Sequence, residues 1–216
     1  MSEPGLDVDV ATAWLQSFAD RVAEEKDWLT ELDAAIGDAD HGINMNRGMS
    51  AVAAELSDRP ADLATLFKRT GMMLVSSVGG ASGPLYGTFF LRLAAAAGDA
   101  TTLDGPGLAT ALRAGCDGVK ARGKAEVGEK TMLDALLPAM DALDEALGAG
   151  QSPAEAMKAA AEAARTGREA TIPMLATKGR ASYLGERSIG HLDPGAVSST
   201  LLLETLAAAL GSSDGS

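Results

Sequence analysis

Apolar residues recur every three to four positions along most of this chain, a spacing that predicts helices rather than strands. The first predicted helix runs from about Asp9 to Asp33, with Val10, Trp14, Phe18, Val22, Leu29 and Leu32 near helical spacing. A second covers Asn44 to Leu56, and a third follows Pro60, carrying Leu63, Phe67, Met73 and Leu74 toward Gly79. The fourth opens at Ser82-Gly83-Pro84 and ends at Gly98, and the fifth lies between Pro106 and Gly123. In the sixth, Lys130 to Gly148, the residues Leu133, Leu136, Leu137, Met140, Leu143 and Leu147 form a regular core-facing stripe. Ser152-Pro153 opens the seventh, with Ser as N-cap and Pro at the first helical position, and Pro173 closes it. Asp193-Pro194 opens the eighth in the same way, and it runs to Leu210. One domain over 1–210 is expected, with the small polar stretch 211–216 as a disordered tail.

Composition agrees with the period. The chain has 42 Ala against 9 Val, 4 Ile, 4 Phe, 2 Tyr and 2 Trp, so the best helix former abounds and sheet-favouring residues are scarce. The expected class is all-α, an eight-helix antiparallel up-and-down bundle. In that topology the connections after the first, third, fifth and seventh helices emerge at one end. They read Gly37-Asp38-Ala39-Asp40-His41-Gly42, Gly79-Gly80-Ala81-Ser82-Gly83, Gly123 to Thr131, and Thr177 to Gly195. The connections at the other end, around Asp58, Thr101 and Gln151, are ordinary turns. Glycine-rich segments bearing charged and hydroxyl groups therefore gather at one end, where a rigid scaffold presents binding loops.

Lys plus Arg is 18 and Asp plus Glu is 30, a net charge of −12, which argues against nucleic-acid and anionic-membrane partners. Cys116 has no partner for an internal disulfide, the first residues lack a signal-peptide pattern, and the longest apolar runs are cut by Arg92 and Glu204. A cytoplasmic protein is expected.

Asp38 and Asp40 alternate in a glycine-bounded turn, with Asp33 five residues upstream of Asp38. Carboxylates this close repel unless a cation neutralises them, and oxygen-only ligation suits Mg²⁺ or Ca²⁺ rather than Zn²⁺. An EF-hand is excluded, because Ile43 and Met49 stand where its glycine and bidentate glutamate belong. A solvated Asp-Gly turn is the plainer alternative. The glycine run before Ser82 leads into a helix N-terminus suited to phosphate, or to nothing more than a turn. Gly123 to Thr131 approaches a Walker A loop but holds one residue too many before Lys130, and no strand precedes it, so a P-loop NTPase is rejected. Its backbone and Thr131 can still face a phosphate. Arg180 offers a bidentate phosphate contact within a locally basic loop. Neither His41 nor His191 has the partners of a hydrolytic triad, and Cys116 lies in mid-helix. Carboxylates for Mg²⁺, backbone donors, hydroxyls and an arginine make up an inventory for binding a nucleotide and transferring a phosphoryl group. No general base stands out, so the acceptor is expected on another chain.

The strings Gly37–Gly48, Ser77–Phe90, Arg122–Met132 and Lys178–Gly195 resemble the L subunit, the nucleotide-binding subunit, of dihydroxyacetone kinase. The resemblance spans nearly the whole chain and implies a closed eight-helix barrel with ADP or ATP and two Mg²⁺ ions at one mouth. It implies that Asp33, Asp38 and Asp40 hold the metal, with Asp38, Asp40 and Arg180 in the catalytic role. His41, Gly42, Ile43, Asn44, Ala81, Ser82, Gly123, Thr131, Met132, Arg180, Asp193, Pro194 and Gly195 match positions that bind or adjoin the nucleotide. Glu129 departs from the family's Gly-Asp-Lys-Thr form while keeping the charge. In the phosphoenolpyruvate-dependent branch a separate K subunit carries dihydroxyacetone, and a phosphohistidine carrier, the M subunit, recharges bound ADP to ATP. The alternatives are an ATP-exchanging kinase subunit for another small ketose or polyol, and a nucleotide-sensing module that docks on a transcription regulator. A homodimer is a further possibility of the family.

Overall fold

The computed structural model describes residues 5–57 and 59–213. The expected helices form, and the first is broken in two: α1 (Val8–Glu24) and α2 (Lys26–Ile36) meet at Glu25, whose ψ of 5° leaves the helical range. Between Val22 and Trp28 the chain offers only Ala23 and four charged residues, so no apolar side chain holds the rod straight there. The two halves keep one general direction along the chain, and the alternation of ends survives. Then come α3 (His41–Glu55), α4 (Leu63–Ser77), α5 (Ser82–Ala97), α6 (Gly105–Gly123), α7 (Leu133–Gly148), α8 (Pro153–Ala170) and α9 (Pro194–Ser213). Helix α7 starts three residues later than expected because Lys130 takes a left-handed backbone, φ 62°, which no helix continues. At the far end of the chain, α9 runs past Leu210 through 211–213, so the expected tail is helical there; 214–216 lie outside the described residues.

Each helix packs on the next in chain order, and α9 returns against α1, which closes the ring. The interior holds Trp14, Phe18, Phe67, Tyr86, Phe89 and Phe90, all fully buried, with the Trp14 ring 6.1 Å from Phe67 and 5.8 Å from Phe90. Its indole N–H donates to the Leu202 carbonyl at 2.8 Å, which ties α1 to α9. That closing helix corrects one expectation: α9 is long and apolar enough to cross a membrane. Two-thirds of the qualifying stretch, 67%, is buried in the protein, and Glu204 pairs with Arg165 of α8, so α9 is the barrel's core helix. Two short strands, β1 (Leu6–Asp7) and β2 (Thr102–Leu103), pair antiparallel at the end opposite the glycine-rich loops. Two residues are too few to show an alternating pattern in sequence.

At that closed end the helix starts are capped by their own side chains: Asp7 for α1, Asp62 for α4, Asp104 for α6 and Ser152, in a capping box with Glu155, for α8.

Candidate active site

All four glycine-rich connections line one cavity of about 430 Å³ at the open end of the ring. The wall takes in Asp33, Asp38, Asp40 and His41, Gly79 to Ser82, Arg122, Gly123 and Lys130 to Leu133, Lys178 to Ala181 and Asp193 to Gly195. The placement inferred from counting helices is therefore what the fold delivers.

Asp33, Asp38 and Asp40 converge on this wall, one carboxylate oxygen from each lying within 4.8 Å of the others. Asp33, in the last turn of α2, is buried and fixed: its Oδ2 accepts the backbone N–H of Asp40 at 2.8 Å and of His41 at 3.1 Å. Ala39, with φ 61°, turns the chain between the other two. Oxygens about 2.1 Å from a six-coordinate Mg²⁺ lie roughly 3–4 Å apart. The cluster needs only a small contraction to match, so these residues fit a hard divalent cation. Meanwhile the Arg180 guanidinium pairs with Asp38 Oδ2 at 3.0 Å and offsets part of the like-charge repulsion.

Three helices start at this end without a bond from their own N-cap side chain, α3 after Asp40, α5 after Ala81 and α7 after Met132; Asp33 serves the α3 start and the Thr131 hydroxyl accepts the Leu133 N–H of α7, which leaves α5 bare. Ser82 does not cap α5, because its hydroxyl meets His41 Nδ1 at 3.0 Å instead. The other ring nitrogen, Nε2, lies 2.9 Å from the Ser198 hydroxyl of α9, which in turn lies 2.7 Å from the Tyr86 hydroxyl of α5. Burial pushes the His41 imidazole down to about 4 and the Tyr86 phenol up to about 12, so both are neutral at pH 7. The bare α5 start leaves partial positive charge beside the cavity, suited to an anion.

On the opposite wall Lys130 is buried, with its ammonium donating to the carbonyls of Thr171 and His191. Burial lowers its pKa, while Asp193 and Asp134 raise it. Asp134, also buried, accepts the backbone N–H of Gly128 and of Thr131. These bonds fasten the 124–132 connection to itself and to the 171–193 connection that carries Arg180. Asp193 accepts the Ala196 N–H at 2.7 Å and so caps α9. Loss of hydration, opposed by that bond, lifts its carboxyl to about 7.

The predicted residues Ala81, Ser82, Gly123, Thr131, Met132, Arg180, Asp193, Pro194 and Gly195 all line the cavity with the three aspartates and His41. Gly42, Ile43 and Asn44 stand outside its lining. Gly42 packs beneath α2, Ile43 is half exposed, and the Asn44 side chain accepts Arg47 at 2.8 Å. Arg47 also donates to the Ser77 carbonyl, so Asn44 supports the glycine segment from behind. Sequence reasoning missed Tyr86, Lys130, Asp134 and Ser198. Three are polar side chains buried in helix or helix-start positions, and the lysine sits in a charged run that looks solvated.

Comparison with known proteins agrees with this geometry. The DAK2 domain family matches residues 35–208. The chain is 49% identical over 201 residues, 93% of its length and 96% of the relative's, to the ADP-binding subunit DhaL of PEP-dependent dihydroxyacetone kinase 1 from Listeria innocua. The corresponding DhaL subunit of Escherichia coli is also 49% identical, over 91% of this chain and 94% of that one. Among solved structures, the dihydroxyacetone kinase of C. freundii in complex with AMP-PNP and Mg²⁺ superposes with a TM-score of 0.72 at 26% identity. That match covers 96% of this chain and 35% of the C. freundii chain, so this chain spans about a third of that kinase. By extent and identity, the chain belongs to the DAK2 domain family, alongside the separate DhaL subunits.

Proposed function

We propose that this chain is the nucleotide-binding, phosphoryl-transferring subunit of a phosphoenolpyruvate-dependent dihydroxyacetone kinase. The observation that carries the reading is the convergence of Asp33, Asp38 and Asp40 at a mouth shared with the bare start of α5 and Arg180. Two Mg²⁺ ions held by these carboxylates would neutralise and orient the phosphate oxygens of the nucleotide. Asp33 is held rigid by its two backbone bonds and fixes the inner edge of that site. Asp38, more exposed, faces the phosphates together with Arg180, whose guanidinium is free to turn from a carboxylate to a phosphate once cations arrive. Ser82 and the α5 start supply donors, and Met132 and Leu85 form apolar wall suited to a base. Similarity to DhaL subunits that cover nearly the same length supports ADP as the resident nucleotide.

The acceptor, dihydroxyacetone, is presented by a K subunit, and a phosphohistidine carrier restores ATP, all in the cytoplasm. The exposed side chains of Ile43, Val127, Leu175, Tyr183 and Ile189 all lie at or beside the connections of the open end, a distribution suited to docking such partners there. Intact-complex mass spectrometry of protein purified without added nucleotide tests the reading: one ADP with Mg²⁺ is expected. In the reconstituted system Asp38→Ala is expected to lose transfer while keeping its helical content; full activity in that variant refutes the assignment.

A further inference from the structure

The connection that carries Arg180 is closed on itself below its tip. The Gly190 N–H donates to the Ile172 carbonyl at 2.8 Å. Ser188, fully buried, accepts the Ala176 N–H at 3.0 Å and donates to the Gly185 carbonyl at 2.7 Å. With its neck held by these bonds and its root by Lys130, the loop 172–190 is one unit, and its lean decides where Arg180 points.

Two walls hold that unit. On the α2 side Ile36 packs against Ala176, Ala181 and Leu184, and Asp38 pairs with Arg180 at 3.0 Å. On the other side stands Glu129, which does not line the cavity. Its Oε2 accepts the Glu126 N–H at 2.7 Å, which fixes the carboxylate within its own turn. Its Oε1 accepts the Thr177 hydroxyl at 3.2 Å and lies 3.8 Å from the Lys178 ammonium, and its carbonyl accepts the Thr177 N–H at 3.3 Å. Between Lys178 and Arg180 comes Gly179, at φ 61° with nothing within 4 Å of a side chain placed there. A glycine so placed supplies no stiffness of its own, so the guanidinium depends on anchors to either side of it.

Cations on the aspartates take Asp38 away from Arg180 and leave the α2 wall with its apolar contact alone. We propose, resting on the nucleotide reading above, that Glu129 is a positioning residue for phosphoryl transfer. It holds Thr177 and Lys178 against the 124–132 connection and so keeps Arg180 aimed at the nucleotide's phosphates after Asp38 has turned to metal. A small misplacement of such a group costs a large factor in rate.

Glu129→Ala removes the carboxylate. Glu129→Gln keeps both side-chain hydrogen bonds, since its amide oxygen accepts from Glu126 and its NH₂ donates to the Thr177 oxygen. In protein loaded with ADP and Mg²⁺, deuterium uptake across 177–181 is expected to rise at least threefold in Glu129→Ala and to stay at the wild-type level in Glu129→Gln. Uptake at 171–172 and 190–193, held through Lys130, is expected to stay unchanged in both. In the reconstituted kinase Glu129→Ala is expected to lower kcat at least fivefold, with Glu129→Gln within twofold of wild type. In an Arg180→Ala background the same Glu129→Ala change is expected to alter kcat by less than twofold, because the residue it serves is gone. An equal loss in both backgrounds overturns the proposal, as do wild-type uptake or wild-type kcat in Glu129→Ala. Should Arg180→Ala be too slow to compare, the contrast between Glu129→Ala and Glu129→Gln decides, and an equal loss in those two overturns it. A wild-type protein that binds no Mg–ADP refutes the nucleotide reading and the role of Glu129 together; Mg–ADP binding with Glu129→Ala unchanged refutes only the role of Glu129.

Discussion

Gly37 offers a way to disturb the metal site without removing a ligand. It ends α2, and a methyl group on its Cα would stand 2.0 Å from Asp33 Oδ1, roughly 1 Å inside the closest approach of real side chains. Backbone on the far side, the Asp33 carbonyl at 3.0 Å, blocks the easy escape. In Gly37→Ala the carboxylate must therefore swing away and loosen its hold on the Asp40 and His41 N–H groups. A hydrogen bond to a charged group contributes about 1.5–3 kcal/mol, so losing one costs about 2 kcal/mol. For a chain of this length that lowers Tm by about 4–8 °C. The same amount taken from ligand binding raises Kd about 30-fold. Calorimetric titration of ADP at fixed Mg²⁺, repeated as an Mg²⁺ titration at fixed ADP, reads the effect. Gly148→Ala at the closed end is the control, since nothing lies within 4 Å of the added methyl. Binding of Mg–ADP by Gly37→Ala within twofold of wild type would show that Asp33 does not hold the metal.

Other consequences are open to simpler measurements. Lys130→Met leaves the Thr171 and His191 carbonyls without their donor, and at about 1–3 kcal/mol for each orphaned group the melting temperature is expected to fall by at least about 4 °C. Hydrogen exchange should rise selectively across 171–193, and unchanged exchange there would remove the anchoring role. In protein stripped of metal and nucleotide, His41 and Asp193 should tilt the pH profile in opposite senses. His41 falls from 6.5 to about 4 on folding, so the unfolded chain binds more protons and stability is lost as pH drops through that window. Asp193 rises from 3.8 to about 7, so the folded chain binds more and stability is lost as pH climbs toward 7. Relative to wild type, thermal melts of His41→Gln should weaken with rising pH and those of Asp193→Asn should strengthen; identical profiles contradict both assignments. Tyr183→Ala removes an aromatic ring that is 85% exposed beside the mouth, and it should leave Mg–ADP affinity alone while raising the apparent KM for the loaded K subunit about fivefold. An unchanged KM would place docking elsewhere.

The sequence was most informative where one residue type does one job. The closeness of Asp33, Asp38 and Asp40 was legible from their spacing, although a solvated Asp-Gly turn reads the same way locally, and the open end is legible because helix count depends on period rather than on exact boundaries. The break at Glu25 tested that dependence: a kink that does not reverse the chain leaves the alternation of ends intact. What escaped notice depends on partners far away in sequence. Lys130 lies in a run with Lys124, Glu126 and Glu129 that resembles a solvated surface, and its burial follows only from carbonyls 41 and 61 residues downstream. Ser198 opens a short hydroxyl run, Ser198-Ser199-Thr200, inside the otherwise apolar α9, and its contact with His41, 157 residues earlier, depends on the fold. Arg180 reads as a phosphate partner in the sequence, and its pairing with Asp38, 142 residues earlier, is set by the fold and not by any local pattern. The locally basic stretch around it also folds into 3-10 turns, Arg180–Ser188, that a short polar sequence does not announce.

The two ends of the ring differ in how their helix starts are satisfied, and that difference explains why the site is where it is. At the closed end four helices begin under Asp7, Asp62, Asp104 and Ser152, so their first N–H groups are partly used and their dipoles are offset. At the open end α9 begins under Asp193, α3 is served from outside by Asp33 and α7 by the Thr131 hydroxyl, and α5 begins with no side-chain acceptor. The Asp33 carboxylate accepts the Asp40 and His41 N–H groups at the start of α3 and shares the 4.8 Å cluster with Asp38 and Asp40. Donors on one side and clustered carboxylates on the other cannot satisfy each other completely, because the cavity holds them apart. A ligand that is anionic toward the helices and accompanied by cations toward the aspartates satisfies both. In a chain of net charge −12 a bare polyphosphate would be repelled, so metal and nucleotide binding must be strongly coupled at this mouth, each weak without the other.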